Sequence, residues 1–128
     1  MMRVRFNEVA LDRLLNSPTG DVGSHMKKIG LRILVGANSM AGQRTGALRK
    51  SLYMVHRRAG KYQYVEVGAK VRHAYFHHEG TKPHLILPDN GRILRFNVGG
   101  RVVYAKKVAH PGTRPNRFLT TPMRRALR

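Results

Sequence analysis

The stretch that decides the fold of this chain reads His110-Pro111-Gly112-Thr113-Arg114-Pro115-Asn116-Arg117-Phe118-Leu119. An upstream stretch, Tyr75-Phe76-His77-His78-Glu79-Gly80-Thr81, belongs with it. Two prolines fix φ and a glycine stands between them, so the backbone is constrained before the apolar pair Phe118-Leu119. Both stretches therefore indicate rigid turns that aim apolar side chains, and neither carries a recognisable catalytic device.

The triplet Glu79-Gly80-Thr81 is typical of a buried turn. Glu79 is one of only six acids in 128 residues, and an arginine of the same or a neighbouring subunit is its natural partner. Gly80 is expected to need a positive φ or close packing. With this triplet, five residues of the downstream stretch form the predicted structural or interface motif: His110, Pro111, Gly112, Pro115 and Phe118. We expect Pro111 and Pro115 to hold Phe118 and Leu119 in place for packing the last helix or for docking a neighbour.

The remaining pattern predicts an α+β fold in one domain, 1–128, with a small, mostly antiparallel β-sheet packed by N-terminal helices and a short C-terminal helix. The predicted segments are helical 7–36, a loop at 39–46, strand-rich 47–108, a Pro-rich connector at 110–119 and a terminal helix at 120–127. Asn7 is the expected N-cap of the first helix. Gly36 and Asn38 are expected to stop the second, which starts near Asp21.

Strands are predicted over 48–56 and 62–70, then a short helix within 72–81 and a loop over 82–91. The clearest local pattern is a hairpin of 92–98 and 101–107 joined by Gly99-Gly100, which supply the positive φ of a tight turn. Leu94, Phe96 and Val98 are expected on one face, with Val102 and Tyr104 across from them. Met123 and Leu127 are expected to point inward from the terminal helix.

The charge is extreme, with 25 Lys+Arg against 6 Asp+Glu, a formal +19. Such a balance first suggests a nucleic-acid partner, but basic residues never run longer than two, whereas a dedicated binding arm is usually a block. A basic subunit with acidic neighbours, or one lying near packaged DNA, fits as well. There are no cysteines, no apolar run near the ~20 residues of a membrane span and no signal-peptide pattern at the start, so we expect no disulfide and no membrane.

Histidines invite a metal hypothesis, since His73, His77, His78 and His84 cluster near Glu79 in sequence and His110 could approach in the fold. His73 and His77 have a spacing that can chelate zinc on a helix. Ala74 follows His73, however, so the metalloprotease pattern is absent. Nucleophile elbows and phosphate loops are also missing. We expect no metal, no cofactor and no enzyme activity.

Four tyrosines alternate with basic residues, as in platforms that stack single-stranded bases: Tyr62, Tyr64, Tyr75 and Tyr104. Tyrosine is also common in strands because it packs on a half-buried sheet. We favour packing.

An ordered set of segments carries a resemblance to a known family. It comprises Thr45-Gly46-Ala47-Leu48-Arg49-Lys50-Ser51-Leu52, Val67-Gly68, Ala74-Tyr75-Phe76-His77-His78-Glu79-Gly80-Thr81, Leu94-Arg95-Phe96 before the Gly-Gly hairpin, and the Pro-rich stretch up to Leu119. In this order the chain resembles the neck or tail-completion (head–tail connector) proteins of long-tailed bacteriophages over about residues 22–127.

The resemblance implies a non-enzymatic virion protein that forms a ring, hexameric by expectation, around the DNA channel at the head–tail junction. Its implied partners are other copies of itself, head-closure or stopper proteins, tail-tube or tail-terminator proteins and, non-specifically, packaged DNA. It would be assembled in the bacterial host cytoplasm. A tail terminator capping the tail tube stays open as an alternative. So do a basic nucleic-acid-binding module and a toxin-like nuclease that depends on His77, His78 or His110.

Overall fold

A computed structural model describes residues 2–43 and 45–128. Its elements, in chain order, are α1 (Glu8–Asn16), α2 (Asp21–Met40), α3 (Ala47–Ser51), β1 (Leu52–Ala59), β2 (Tyr62–Ala69), α4 (His73–Glu79), β3 (His84–Ile86), a 3-10 turn (Asp89–Gly91), β4 (Leu94–Val98), β5 (Arg101–Ala105), β6 (Val108–His110) and α5 (Thr120–Ala126). Helix makes up 40% and strand 27%. Because the strands form small antiparallel sheets packed against helices, the predicted α+β class is confirmed.

The strands form three separate antiparallel pairs rather than the one sheet expected: β1 with β2, β3 with β6, and β4 with β5. The chain itself explains the separation. Helix α4 follows β2 directly, and Pro83 and Pro88 bracket β3, where each removes a backbone donor. The short strands between these breaks can therefore pair locally but cannot extend a common sheet.

Helix α1 begins as predicted, with the Asn7 side chain accepting a hydrogen bond from the Ala10 N–H at 3.1 Å. Helix α2 does not stop at Gly36 or Asn38 but continues to Met40, so that expectation was wrong. Gly36 lies where a Cβ would come within 2.7 Å of Pro122 in α5. This glycine permits the two helices to touch instead of ending α2. The predicted loop at 39–46 is correspondingly shorter, and its Arg44 lies outside the described residues.

The strand predicted over 48–56 begins only at Leu52, because Ala47–Ser51 forms helix α3. Gly46, with φ of 71°, is the N-cap of that helix, and the side chain of Leu48 is buried in the core. Strand β2 matches its predicted range to one residue. The β1–β2 ribbon pairs Leu52 with Ala69 at its base and lies across α2.

Residues 82–110 form a projecting arm that carries β3, β4, β5 and β6. The segment 82–91 was expected to be a loop, yet β3 within it pairs with β6. The Gly99-Gly100 hairpin is confirmed, with φ of 56° and 85°. Its faces were predicted wrongly: Val103, not Val102 or Tyr104, lies opposite Phe96. The two-residue loop pairs Val98 with Arg101. This register places Val103 on the face of Phe96, and Val102 and Tyr104 on the opposite face.

The buried core is small and lies at the C-terminal end of α2, where α3, α4 and the residues before α5 meet it. Its buried apolar members among the described residues are Ala37, Ala41, Leu48, Ala74 and Phe118. In α5 the buried residue is Pro122, whereas Met123 and Leu127 remain exposed, contrary to expectation. Pro122 occupies the α2-facing side of α5 because Gly36 leaves room for its ring.

Candidate functional site

The two stretches singled out by sequence meet in the structure as a clamp, formed by residues 76–81 and 110–118. Its centre is an antiparallel bridge between Thr81 and Thr113. Each N–H donates to the other's carbonyl oxygen at 3.1 Å, and the two hydroxyl oxygens lie 3.1 Å apart. The bridge joins the end of α4 to the Pro-rich connector, at the root of the projecting arm. The predicted connector at 110–119 is thus paired backbone in part, not a free-standing loop.

Two glycines of the clamp hold conformations that other residues avoid. Gly80 has φ of 75° and Gly112 has φ of 85°. A Cβ on Gly80 would lie 2.6 Å from the Thr113 carbonyl oxygen and 2.9 Å from the Pro115 nitrogen, and one on Gly112 would collide with the Thr81 carbonyl. The expectation for Gly80, a positive φ or close packing, is therefore confirmed on both counts.

His77 and Asn116 tie the clamp to the end of α2. His77 Nε2 accepts from the Gly42 N–H at 3.3 Å and lies 3.1 Å from Asn116 Nδ2, which also donates to the Met40 carbonyl at 2.9 Å. The Asn116 N–H donates to the His77 carbonyl at 3.0 Å. Two donors on Nε2 assign the His77 proton to Nδ1 and give this ring a positioning role.

Asn116 was not singled out from sequence, although it stands between two residues that were. A Pro-Asn dipeptide is a turn signal, and an asparagine amide in a turn commonly bonds nearby backbone. Its partner here, the Met40 carbonyl, is distant in sequence, so only the fold reveals the contact.

Glu79 is paired as predicted, and its arginine comes from the same chain. Arg117 Nη1 lies 2.6 Å from Glu79 Oε1, and His78 Nδ1 donates to the same oxygen at 2.7 Å. The hydrogen bond from His78 and the charge of Arg117 lower the pKa of Glu79 below its usual 4.5. The carboxylate is thus charged at neutral pH and closes the clamp from the outside.

Phe118 is the anchor of the clamp and is fully buried, with no exposed surface. Its ring centroid lies 5.7 Å from that of His77 and 5.4 Å from that of His78, the latter edge to face. Of the two roles expected for Phe118, the structure selects packing, because a side chain buried within its own chain cannot dock a neighbour.

The other predicted cluster members do not converge on a metal. The rings of His84 and His110 stack at 5.0 Å at the root of the arm. His84 Nδ1 donates to the Lys82 carbonyl at 2.8 Å, and His110 Nδ1 accepts from the Gly112 N–H at 3.0 Å. Among the residues that the structure describes, no group of three or more His, Cys, Asp or Glu side chains is placed to hold a metal ion.

A second paired acid lies on the β1–β2 ribbon. The Tyr53 hydroxyl donates to Glu66 Oε1 at 2.6 Å, and Arg57 Nε lies 3.9 Å from Glu66 Oε2. The hydrogen bond to this carboxylate raises the pKa of Tyr53 above 10.0.

The four tyrosines expected to pack are exposed instead: Tyr62, Tyr64, Tyr75 and Tyr104. Tyr62 is 81% exposed beside the turn of the β1–β2 ribbon. With strands in isolated pairs, each ribbon lacks the layers that would cover both of its faces.

The exposed surface is far larger than that of a compact monomer. It measures 10745 Å², whereas a folded monomer of 14.5 kDa exposes about 6900 Å². The excess, about 3900 Å², includes large apolar side chains in three places. These are Val9, Leu11, Leu14 and Leu15 on α1; Leu31, Val35, Met123 and Leu127 on α2 and the α5 end; and Leu85, Leu87, Ile93, Val98, Val102 and Tyr104 on the arm.

Within residues 2–43 and 45–128, no helix combines the length and apolar character needed to cross a membrane. Comparison of the chain with protein-family models, curated proteins and solved structures gave no match.

Proposed function

We propose that this chain is a non-enzymatic structural subunit of a phage head–tail junction, which assembles with copies of itself into a ring around the DNA channel. The observation that carries the assembly is the excess of about 3900 Å² of exposed surface. Permanent interfaces bury about 1000–2500 Å² on each partner, and a ring subunit has two of them. The excess is therefore of the size that two ring contacts cover.

The clamp supports the same proposal. A ring closes through heterologous contacts, so each subunit needs two different surfaces in a fixed relation. The Thr81–Thr113 bridge and the buried Phe118 fix the root of the arm to the helical body. Such rigidity at a position without catalytic geometry suits a building part.

The head–tail position rests on the resemblance, which also implies six copies. Six copies of a +19 chain carry a formal +114, so the ring needs acidic neighbours, DNA or salt to form. We infer that head-closure or stopper proteins and tail-tube or tail-terminator proteins supply part of that compensation, with packaged DNA in the channel. A ring of tail-terminator subunits would need the same compensation of its positive charge.

Electron microscopy tests this proposal. Negatively stained protein in 0.5 M salt, or mixed with short duplex DNA, is expected to show rings with a central hole. Antibody labelling of virions from the phage that encodes the chain is expected to mark the head–tail junction. Label restricted to the tail tip, or its absence from virions, would contradict the assignment.

The exposed tyrosines favour one second candidate, a nucleic-acid-binding module. Tyr62 stands beside the basic residues Arg58 and Lys61 at the ribbon turn, as a stacking platform requires. This function predicts tight binding of labelled single-stranded DNA with a steep salt dependence, lost in Tyr62→Ala. If binding were weak and the same in Tyr62→Ala, the interaction would come from net charge alone and the stacking platform would be refuted.

A further inference from the structure

We propose that the arm of one copy, residues 82–110, docks through its Val102–Tyr104 face into an apolar groove on the next copy. This inference rests on the proposed ring and names its contact. The groove is formed by α2, β2 and the end of α5, and it is lined by Met26, Ile29, Ile33, Tyr64, Met123 and Leu127, with Gly30 and Val65 at its floor.

The arm has one face that its own chain does not cover. Strands β4 and β5 pair mainly with each other, and a hairpin of two strands is marginal alone. Leu94 and Phe96 on one face are partly buried. On the opposite face, where Arg95 pairs with Tyr104, Tyr104 is 65% and Val102 47% exposed. Asn97 pairs with Val102 on the same face, so the two exposed apolar side chains that a partner would cover stand beside Arg95 and Asn97.

The groove is an unfilled apolar space of about 310 Å³ on the helical body. At Gly30, α2 packs so closely on the ribbon that an added Cβ would lie 2.5 Å from Val65 Cγ1. Met123 and Leu127 form one wall and are exposed, because no residue of the arm lines the groove. An apolar space of this kind accepts aromatic and branched side chains such as those on the open face of the arm.

A second copy is the occupant that the surfaces favour. Arm and groove are different surfaces on one rigid chain, which is the condition for a heterologous contact that repeats around a ring. The arm holds six basic residues, Lys82, Arg92, Arg95, Arg101, Lys106 and Lys107, against the single acid Asp89.

The receiving side is basic as well, with Lys27, Lys28 and Arg32 on α2 and Arg124 and Arg125 on α5. Glu66 and Glu79 are already in ion pairs. Of the remaining four acids, three lie in the first 21 residues, and Asp21 begins the helix that forms the groove. Like charges therefore oppose this contact in dilute buffer, and we expect it to form only in salt or with duplex DNA. The exposed excess of about 3900 Å² is of the size that two contacts per subunit cover in a permanent assembly, which favours a second copy as the occupant.

Cysteine cross-linking tests the contact directly, since the chain has no cysteine of its own. The double variant Val102→Cys/Leu127→Cys changes two exposed positions and is oxidised mildly in 0.5 M salt and, separately, with duplex DNA. On non-reducing gels we expect loss of the monomer band and a ladder in steps of 14.5 kDa, which collapses to monomer when a reductant is added. Mixed single variants are expected to give one heterodimer band, and each single variant alone none. The control pair Lys61→Cys/Leu127→Cys is expected to remain monomeric.

Other outcomes overturn the inference in distinguishable ways. Dimers from Val102→Cys alone would show arms meeting each other. Only intramolecular cross-links would show the arm folding onto its own groove. Multimers by sedimentation without an arm–groove cross-link would refute this contact and leave the ring standing. A monomer under every condition would refute the contact and the ring together.

Discussion

Phe118→Ala is expected to be the most destabilising single truncation of this chain. Phe118 is fully buried and is the largest such side chain among the described residues, in a core with few other buried apolar members. Buried Phe→Ala changes cost about 3–5 kcal/mol, because they lose transfer free energy and leave a cavity. At roughly 270 cal/mol/K for the entropy of unfolding of 128 residues, this corresponds to a fall in Tm of about 11–19 °C.

Thermal and urea unfolding followed by circular dichroism measure this effect. Phe76→Ala is the matched control, because Phe76 lies in α4 at the edge of the clamp and is 55% exposed. Its loss of the buried part of the ring is expected to cost roughly 0.7–1.3 kcal/mol. If both variants unfolded at similar temperatures, the clamp would not be anchored by Phe118 and the structural role given to it would be refuted.

Three further substitutions test the paired groups and the turn. Gly80→Ala is expected to lower the free energy of unfolding by about 1–3 kcal/mol, because it adds backbone strain and a collision with backbone atoms. The control Gly91→Ala is expected to cost less, since φ is also positive there but the space is open. Equal urea midpoints for the two variants would contradict this. Glu79→Gln is expected to lower stability at pH 7. Because folding lowers the pKa of Glu79, the stability difference between the two proteins is present above pH 4.5 and shrinks as acid protonates the folded carboxylate. Thermal scans in which this difference grows below pH 4.5 would contradict the pairing. In Tyr53→Phe, ultraviolet titration is expected to show the loss of one tyrosine that ionises above pH 10.0. If the part of the titration curve above pH 10.0 were unchanged, the hydrogen bond from Tyr53 to Glu66 would be refuted.

Local signals were readable from the sequence where neighbouring residues decide the structure. Asn7 caps α1 through a contact three residues away, and Gly99-Gly100 sets its own turn. The positive φ of Gly80 and the arginine partner of Glu79 followed from residue type and from the scarcity of acids. These features need no knowledge of distant contacts.

Features set by distant contacts were missed. Gly36 looks like a helix stop, but its role is to admit Pro122, so α2 runs on to Met40. Leu48 looks like a strand residue, yet burial in the core keeps it in helix α3. Asn116 reaches Met40 across the fold, and no local pattern shows that bond. In each case tertiary packing overrode the local preference.

Sedimentation velocity across a salt series tests the central claim, that the chain is a ring subunit, most directly. The formal +19 of each copy opposes assembly in dilute buffer, so we expect the 14.5 kDa monomer in 50 mM salt without partner. In 0.5 M salt or with duplex DNA, we expect a closed species near six copies, about 87 kDa of protein. Stable rings in 50 mM salt would contradict the role given to charge. A monomer at every salt concentration, with and without DNA, would contradict the ring itself.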